Sequence, residues 1–136
     1  MERSNLFRGK RIDDGKWVYG WYCKYPFGRW PLKDAIIPSD DAEEGYHHFE
    51  QIDPDTLGEY TGLTDKNETK IFEGDIVKKK DYHGFRDMYV IFRYGEFVCY
   101  YDGAYKYYTL DDSRIEVVGN IYDNPEKLVK SNELSF

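Results

Sequence analysis

The chain of 136 residues holds only two cysteines, two methionines and five prolines, and nowhere does it stay apolar for long. Each scarcity excludes something. No stretch approaches the roughly 20 apolar residues needed to cross a bilayer. The opening MERSNLFRGK lacks the apolar segment of a signal peptide. A cytoplasmic address with no membrane contact is therefore expected. Cys23 and Cys99 stand far apart in strand-like runs, which favours reduced, buried thiols over a disulfide framework in a reducing compartment. Ala and Leu, the strong helix formers, are scarce.

The chemistry-bearing motifs are missing too. There is no Walker loop, no glycine fingerprint opening a helix after a strand, and no Gly-x-Ser-x-Gly elbow. His47 and His48 are adjacent, so on a strand they face opposite ways, and with His83 and two separated cysteines they form no familiar zinc spacing. Asp40 to Gln51 puts Gly45 at the sixth place of a calcium loop. Ala42 then occupies a ligand position, and Gln51 stands where a bidentate Glu should close the sphere. The pairs Asp13/Asp14 and Asp111/Asp112 flank turns, where Asp caps backbone amides. The sequence thus assigns no catalytic residue, no metal ligand and no cofactor.

What is abundant is aromatic: 14 Tyr, 8 Phe and 3 Trp. Such side chains suit half-buried pleated surfaces, and a mainly β protein follows. The net charge of −7 is unevenly placed. Residues 40 to 59 carry Asp40, Asp41, Glu43, Glu44, Glu50, Asp53, Asp55 and Glu59 with no Lys or Arg. This segment reads as a solvated rim, or as a surface for a basic partner.

Along the chain, Lys16 to Tyr25 alternates as a strand, with Trp17, Tyr19, Trp21, Cys23 and Tyr25 on one face and Val18, Gly20, Tyr22 and Lys24 on the other. Asp34 to Ile37 and Tyr46 to Ile52 are further short strands. A turn, and with it a domain boundary, is expected at Asp53-Pro54-Asp55. Leu57 to Leu63, Lys70 to Phe72, Asp75 to Lys80, Asp87 to Arg93, Glu96 to Tyr101, Tyr105 to Leu110 and Ile115 to Ile121 follow, joined by tight turns such as Tyr94-Gly95 and Asp102-Gly103. Regular short strands with Gly turns point to a small barrel or sandwich carrying Val77, Val90, Phe92, Val98 and Val117 inward. Only the end reads as a helix, with Asn124 as cap and Pro125 at the first position. The resulting organisation is an N-terminal β-rich domain over 1–56, a barrel domain over 57–129 with a short C-terminal helix, and a frayed tail over 130–136.

Two surfaces stand out. The tyrosine-rich run places Tyr101, Tyr105 and Tyr107 on one row and Tyr100 and Tyr108 on the other, so Tyr100 and Tyr108 are candidates for an exposed protein-binding row. Trp21 and Tyr22 join them, because one strand with large aromatics on both faces invites a second copy of the chain to cover one of them. The competing arrangement folds Phe27, Trp30 and Ile36 back over that face. The second surface is basic: Lys78, Lys80, Arg86 and Arg93, with Tyr82, Phe85 and Tyr94 among them, supply the phosphate neutralisation and stacking that single-stranded nucleic acid needs.

Residues 60 to 77, YTGLTDKNETKIFEGDIV, and 116 to 128, EVVGNIYDNPEKL, resemble the YopX family of phage and prophage proteins. The start Phe7-Arg8-Gly9-Lys10, followed by Gly15-Lys16-Trp17-Val18-Tyr19-Gly20, is similar to members of that family as well. The family usually has Gly after Asn67, where this chain has Glu68, so any left-handed backbone there falls to Asn67 or the turn type changes. The resemblance implies a β-rich N-terminal part packed on a C-terminal SH3-like barrel, encoded by a phage or integrated prophage of a Gram-positive bacterium, and it brings no catalytic residue. The expectation is a non-enzymatic phage accessory protein that binds a host or phage protein in the bacterial cytoplasm and self-associates as a homo-oligomer. The alternative is a nucleic-acid-associated replication or regulatory factor, disfavoured by the absence of net positive charge.

Overall fold

The structure is a computed structural model and describes residues 6–39, 48–82, 84–110 and 114–128. The first part of the acidic segment (40–47), His83, the Asp111/Asp112 pair and the tail over 130–136 lie outside the described residues. Among the described residues the protein is mainly β, with strands β1 Leu6–Arg11, β2 Trp17–Tyr25, β3 Lys33–Pro38, β4 Glu50–Thr64, β5 Lys70–Phe72, β6 Asp75–Asp81, β7 Gly84–Arg93, β8 Glu96–Tyr100 and β9 Glu116–Asn120. They make two antiparallel sheets, ordered β1-β2-β3-β4-β5 and β8-β7-β6-β9. No described helix is long and apolar enough to cross a membrane. The chain divides into two compact units, Met1–Tyr60 and Thr61–Phe136.

In the first unit β1 pairs with β2 and also with β4, so four strands close into a ring. Strand alternation sends Val18, Ile36 and Ile52 inward, with Phe7 and Leu57 packed around them. Each such buried aliphatic side chain contributes about 1.5–3 kcal/mol, so a core this small has little redundancy. The ring is tight enough to require glycine. A Cβ on Gly20 would lie 1.9 Å from the carbonyl oxygen of Ile37 in the neighbouring strand. The turn expected at Asp53-Pro54-Asp55 is instead a bulge inside β4, because β1 holds the strand on both sides of it: Arg8 pairs with Gly58 and Lys10 with Asp53. Thr56 makes up the missing ladder bonds. Its hydroxyl accepts the Lys10 N–H at 2.8 Å and donates to the Asp53 carbonyl at 2.7 Å.

In the second unit, register puts Val77 opposite Met88 and Val90 opposite Cys99 on one sheet face. Ile71, Leu110 and Ile115 close over these residues. Of the five side chains expected inward, Val77 and Val90 are fully buried and Val117 packs against the same cluster. Phe92 has the right parity but is 46% exposed, since β7 outruns the core and the ring meets only Phe97 edge-on at 4.9 Å. Val98 is buried, but its partner is Ile91, so it lies on the opposite face from Val90. Tyr105 to Leu110 is not a strand; one bridge, Tyr108 to Cys99, ties it to β8. The β7–β8 hairpin turns through Tyr94 and Gly95, both at positive φ as its tight geometry demands.

Asp65 organises the segment before β5. Its carboxylate accepts the N–H groups of Asn67 at 2.8 Å and Thr69 at 2.9 Å, and that of Val117 in β9 at 2.9 Å. The left-handed residue of this turn is Glu68 (φ 64°), not Asn67. At the C-terminal end, the Asn124 side chain accepts the N–H of Asn120 at 3.2 Å.

Candidate functional site

Cationic and aromatic side chains gather in the second unit, where the end of β6 meets the segment bridged to β8. Lys79, Lys80, Asp81, Tyr82, Lys106, Tyr107, Tyr108 and Thr109 line a cleft of about 460 Å³ there. Alternation along β6 turns Lys79 and Asp81 to the core side of the sheet, beyond the last apolar layer, so the sheet face changes from apolar to charged at this point. The bridge delivers the other wall: Cys99 and Tyr108 exchange both backbone hydrogen bonds, at 2.8 and 2.9 Å.

Cations and rings alternate beneath and beside the cleft. The Arg86 guanidinium lies 4.3 Å over the Tyr101 ring, Tyr101 stacks on Tyr108 at 6.2 Å, and the Lys106 ammonium stands 4.9 Å over Tyr108. Arg86 also donates from Nε to the Asp81 carboxylate at 2.9 Å. That pairing offsets the charge of the Asp81 carboxylate at the cleft. Burial first, and then a hydrogen bond with Tyr101, push the Tyr108 hydroxyl up to about 12, so it remains a protonated donor at neutral pH.

The candidates named from sequence separate here. Lys80, Arg86 and Tyr108 come together at the cleft. Lys78 is exposed on the same face of β6 as Lys80 but does not line the cleft, and Arg93, at the far end of β7, donates to the Phe92 carbonyl. Tyr100 is half-buried, its hydroxyl donating to the Ala104 carbonyl at 3.0 Å, and Tyr108 is half-buried too. The exposed members of the tyrosine run are Tyr105 and Tyr107, because the single bridge at Tyr108 replaces the regular hairpin on which the alternation was reckoned. In the first unit Trp21 is exposed as expected, at 42%. Tyr22 is not: it faces the ring interior beside Phe7, and its hydroxyl donates to Asp34, which Lys24 also contacts at 3.1 Å. Ile36 does cover that inner face, whereas Trp30 is 75% exposed.

Strand alternation turns Lys79 away from Lys78 and Lys80, as the sequence implies. Sequence reasoning missed Lys106, which could have been suspected from its position two residues before Tyr108. A smaller hollow of about 220 Å³ in the first unit is lined by Ile12, Asp13, Phe27, Phe49, Glu50 and Gln51. Its inner carboxylate, Glu50, is already held by Arg11 at 2.9 Å and by His48. No group of three or more potential metal ligands occurs among the described residues.

The sequence model described as YopX protein matches residues 6–129. The fold is similar to a crystal structure of protein EF1440 from Enterococcus faecalis, with a TM-score of 0.51 and 22% identity over 90% of this chain and 96% of that one. Comparison with curated proteins gives no match.

Proposed function

The chain belongs to the YopX family, and from that premise we propose that it is a non-enzymatic phage or prophage accessory protein whose second unit, an SH3-like small barrel, binds an anionic ligand in the host cytoplasm. One observation carries this reading: Lys80 and Lys106 line a single cleft whose one lining carboxylate among the described residues, Asp81, is paired to Arg86. The protein's overall acidity does not oppose it, since screening limits charge interactions to about 8 Å at physiological salt and the cleft is governed by its own side chains. Calorimetric titration with inorganic polyphosphate tests the reading. Salt-sensitive binding that Lys106→Ala weakens supports it; absence of binding at low salt overturns it.

A second reading, a protein partner, is supported by a separate observation in the first unit. Tyr19 and Trp21 lie on the outer face of β2, at 43% and 42% exposure. Aromatic side chains of this kind anchor interfaces, and a second copy of the chain is the partner proposed. Sedimentation equilibrium checks it: dimers that Trp21→Ala weakens are expected, and a monomer persisting at high micromolar concentration would refute it.

A further inference from the structure

We infer that the ligand of the cleft is single-stranded nucleic acid, its phosphates on Lys80 and Lys106 and its bases stacked on Tyr82 and Tyr107; this deepens the anion-binding reading and rests on it. The cleft's edges argue for bases in addition to charge. Tyr82 is 85% exposed and Tyr107 is 40% exposed, and both line the cleft beside the lysines. Two accessible rings next to ammonium groups are the combination that binds a single strand without regard to sequence, since every base offers a π face.

A phosphorylated or acidic peptide fits less well. Phosphate monoesters and carboxylates are best held by the two-pronged fork of a guanidinium. Here the guanidinium of the cleft, Arg86, is committed to Asp81 and to the face of Tyr101. The remaining cations are lysines, which act as point charges and suit a chain of phosphodiesters with no fixed orientation. A duplex fits less well for another reason: its base faces are covered by stacking, so Tyr82 and Tyr107 would find no surface to meet.

Fluorescence anisotropy on the full chain tests the inference, using labelled oligothymidylate and oligouridylate of about 16 nucleotides, the upper end of single-strand site sizes. A matching duplex and inorganic polyphosphate serve as competitors. Micromolar binding of either single strand is expected, with the duplex weaker. With Lys80 and Lys106 each meeting one phosphate, log K should fall with log salt at a slope of about −1.4, and Lys106→Ala should reduce the slope by about 0.7. Tyr82→Ala should weaken single-strand binding about fivefold or more and leave polyphosphate competition unchanged. Tyr82 is a surface side chain, so the variant's fold, checked by circular dichroism, is expected to be intact. If polyphosphate binds as tightly as the oligonucleotides and neither Tyr82→Ala nor Tyr107→Ala changes anything, the nucleic-acid inference fails while anion binding stands. If no polyanion binds at low salt, both fail.

Discussion

Asp65 offers the most quantitative test of how the second unit is held together. One buried carboxylate serves three backbone N–H groups on two segments, the turn at Asn67 and Thr69 and strand β9 at Val117. Burial acts to raise its pKa, but the three N–H donors outweigh burial and hold the carboxyl below the usual Asp value. Hydrogen bonds to a charged group contribute about 1.5–3 kcal/mol each, and the exposed turn amides regain water when the acceptor is lost. Asp65→Ala is therefore expected to cost about 4 kcal/mol. Asp65→Asn keeps an oxygen for the turn but sets an NH2 against the Val117 N–H, and should cost about 2 kcal/mol. Urea unfolding followed by far-UV circular dichroism reads both, as midpoint shifts of about 2 M and 1 M for a slope of about 2 kcal/mol/M. The pH dependence has a fixed sign. Because the folded pKa is depressed, the contribution is complete above the unfolded value near 3.9 and is lost as pH falls through the folded value. Wild type should lose stability there more steeply than Asp65→Asn. Equal midpoints for wild type and Asp65→Asn at pH 7 would refute the account.

The two glycines of the first unit should respond unequally to alanine. A Cβ at Gly20 meets backbone atoms of Ile37 and Pro38 that cannot yield, so Gly20→Ala should cost more than about 3 kcal/mol, whereas at Gly9 it meets the movable end of Ile52, at 2.7 Å, for about 1–2 kcal/mol. Tryptophan fluorescence reads both, since all three tryptophans lie in that unit. Glu68→Gly should stabilise the protein by about 1 kcal/mol in thermal unfolding, because it removes a left-handed non-glycine residue from the turn; a loss of stability would mean the Glu68 side chain contributes more than its backbone costs.

The features legible in the sequence are those that local rules decide. Alternation along Trp17 to Tyr25 sends Tyr19 and Trp21 outward and Val18 inward, as observed, and the pairing of Tyr94 with Gly95 marks a hairpin. Features set by distant partners were hidden. Pro54 and its flanking Asp residues carry every local mark of a turn, yet β1 pairs with β4 on both sides of them and keeps the strand running. Phe92 obeys its parity but stands beyond the core's end, a limit that no alternation rule contains. At the cleft, Lys80 and Arg86 were visible as a basic run. Their meeting with Lys106 and Tyr108 depends on one bridge to Cys99 that interrupts the regular tyrosine pattern.

The closed ring of the first unit also imposes an order on how the chain can fold. β2 can find β1 and β3 across short connections, but the last pairing joins Phe7 to Glu59, nearly the full length of that unit, and its loop-closure entropy is met only then. During synthesis the open edges of β1 and β3 are unpaired templates until β4 emerges, from Glu50 onward. Truncation before Glu50 would leave a three-stranded, aggregation-prone sheet instead of a smaller domain. Once shut, the ring pairs each of its four strands with two neighbours among the described residues. A partner of this unit meets chiefly what the strands display on their outer face.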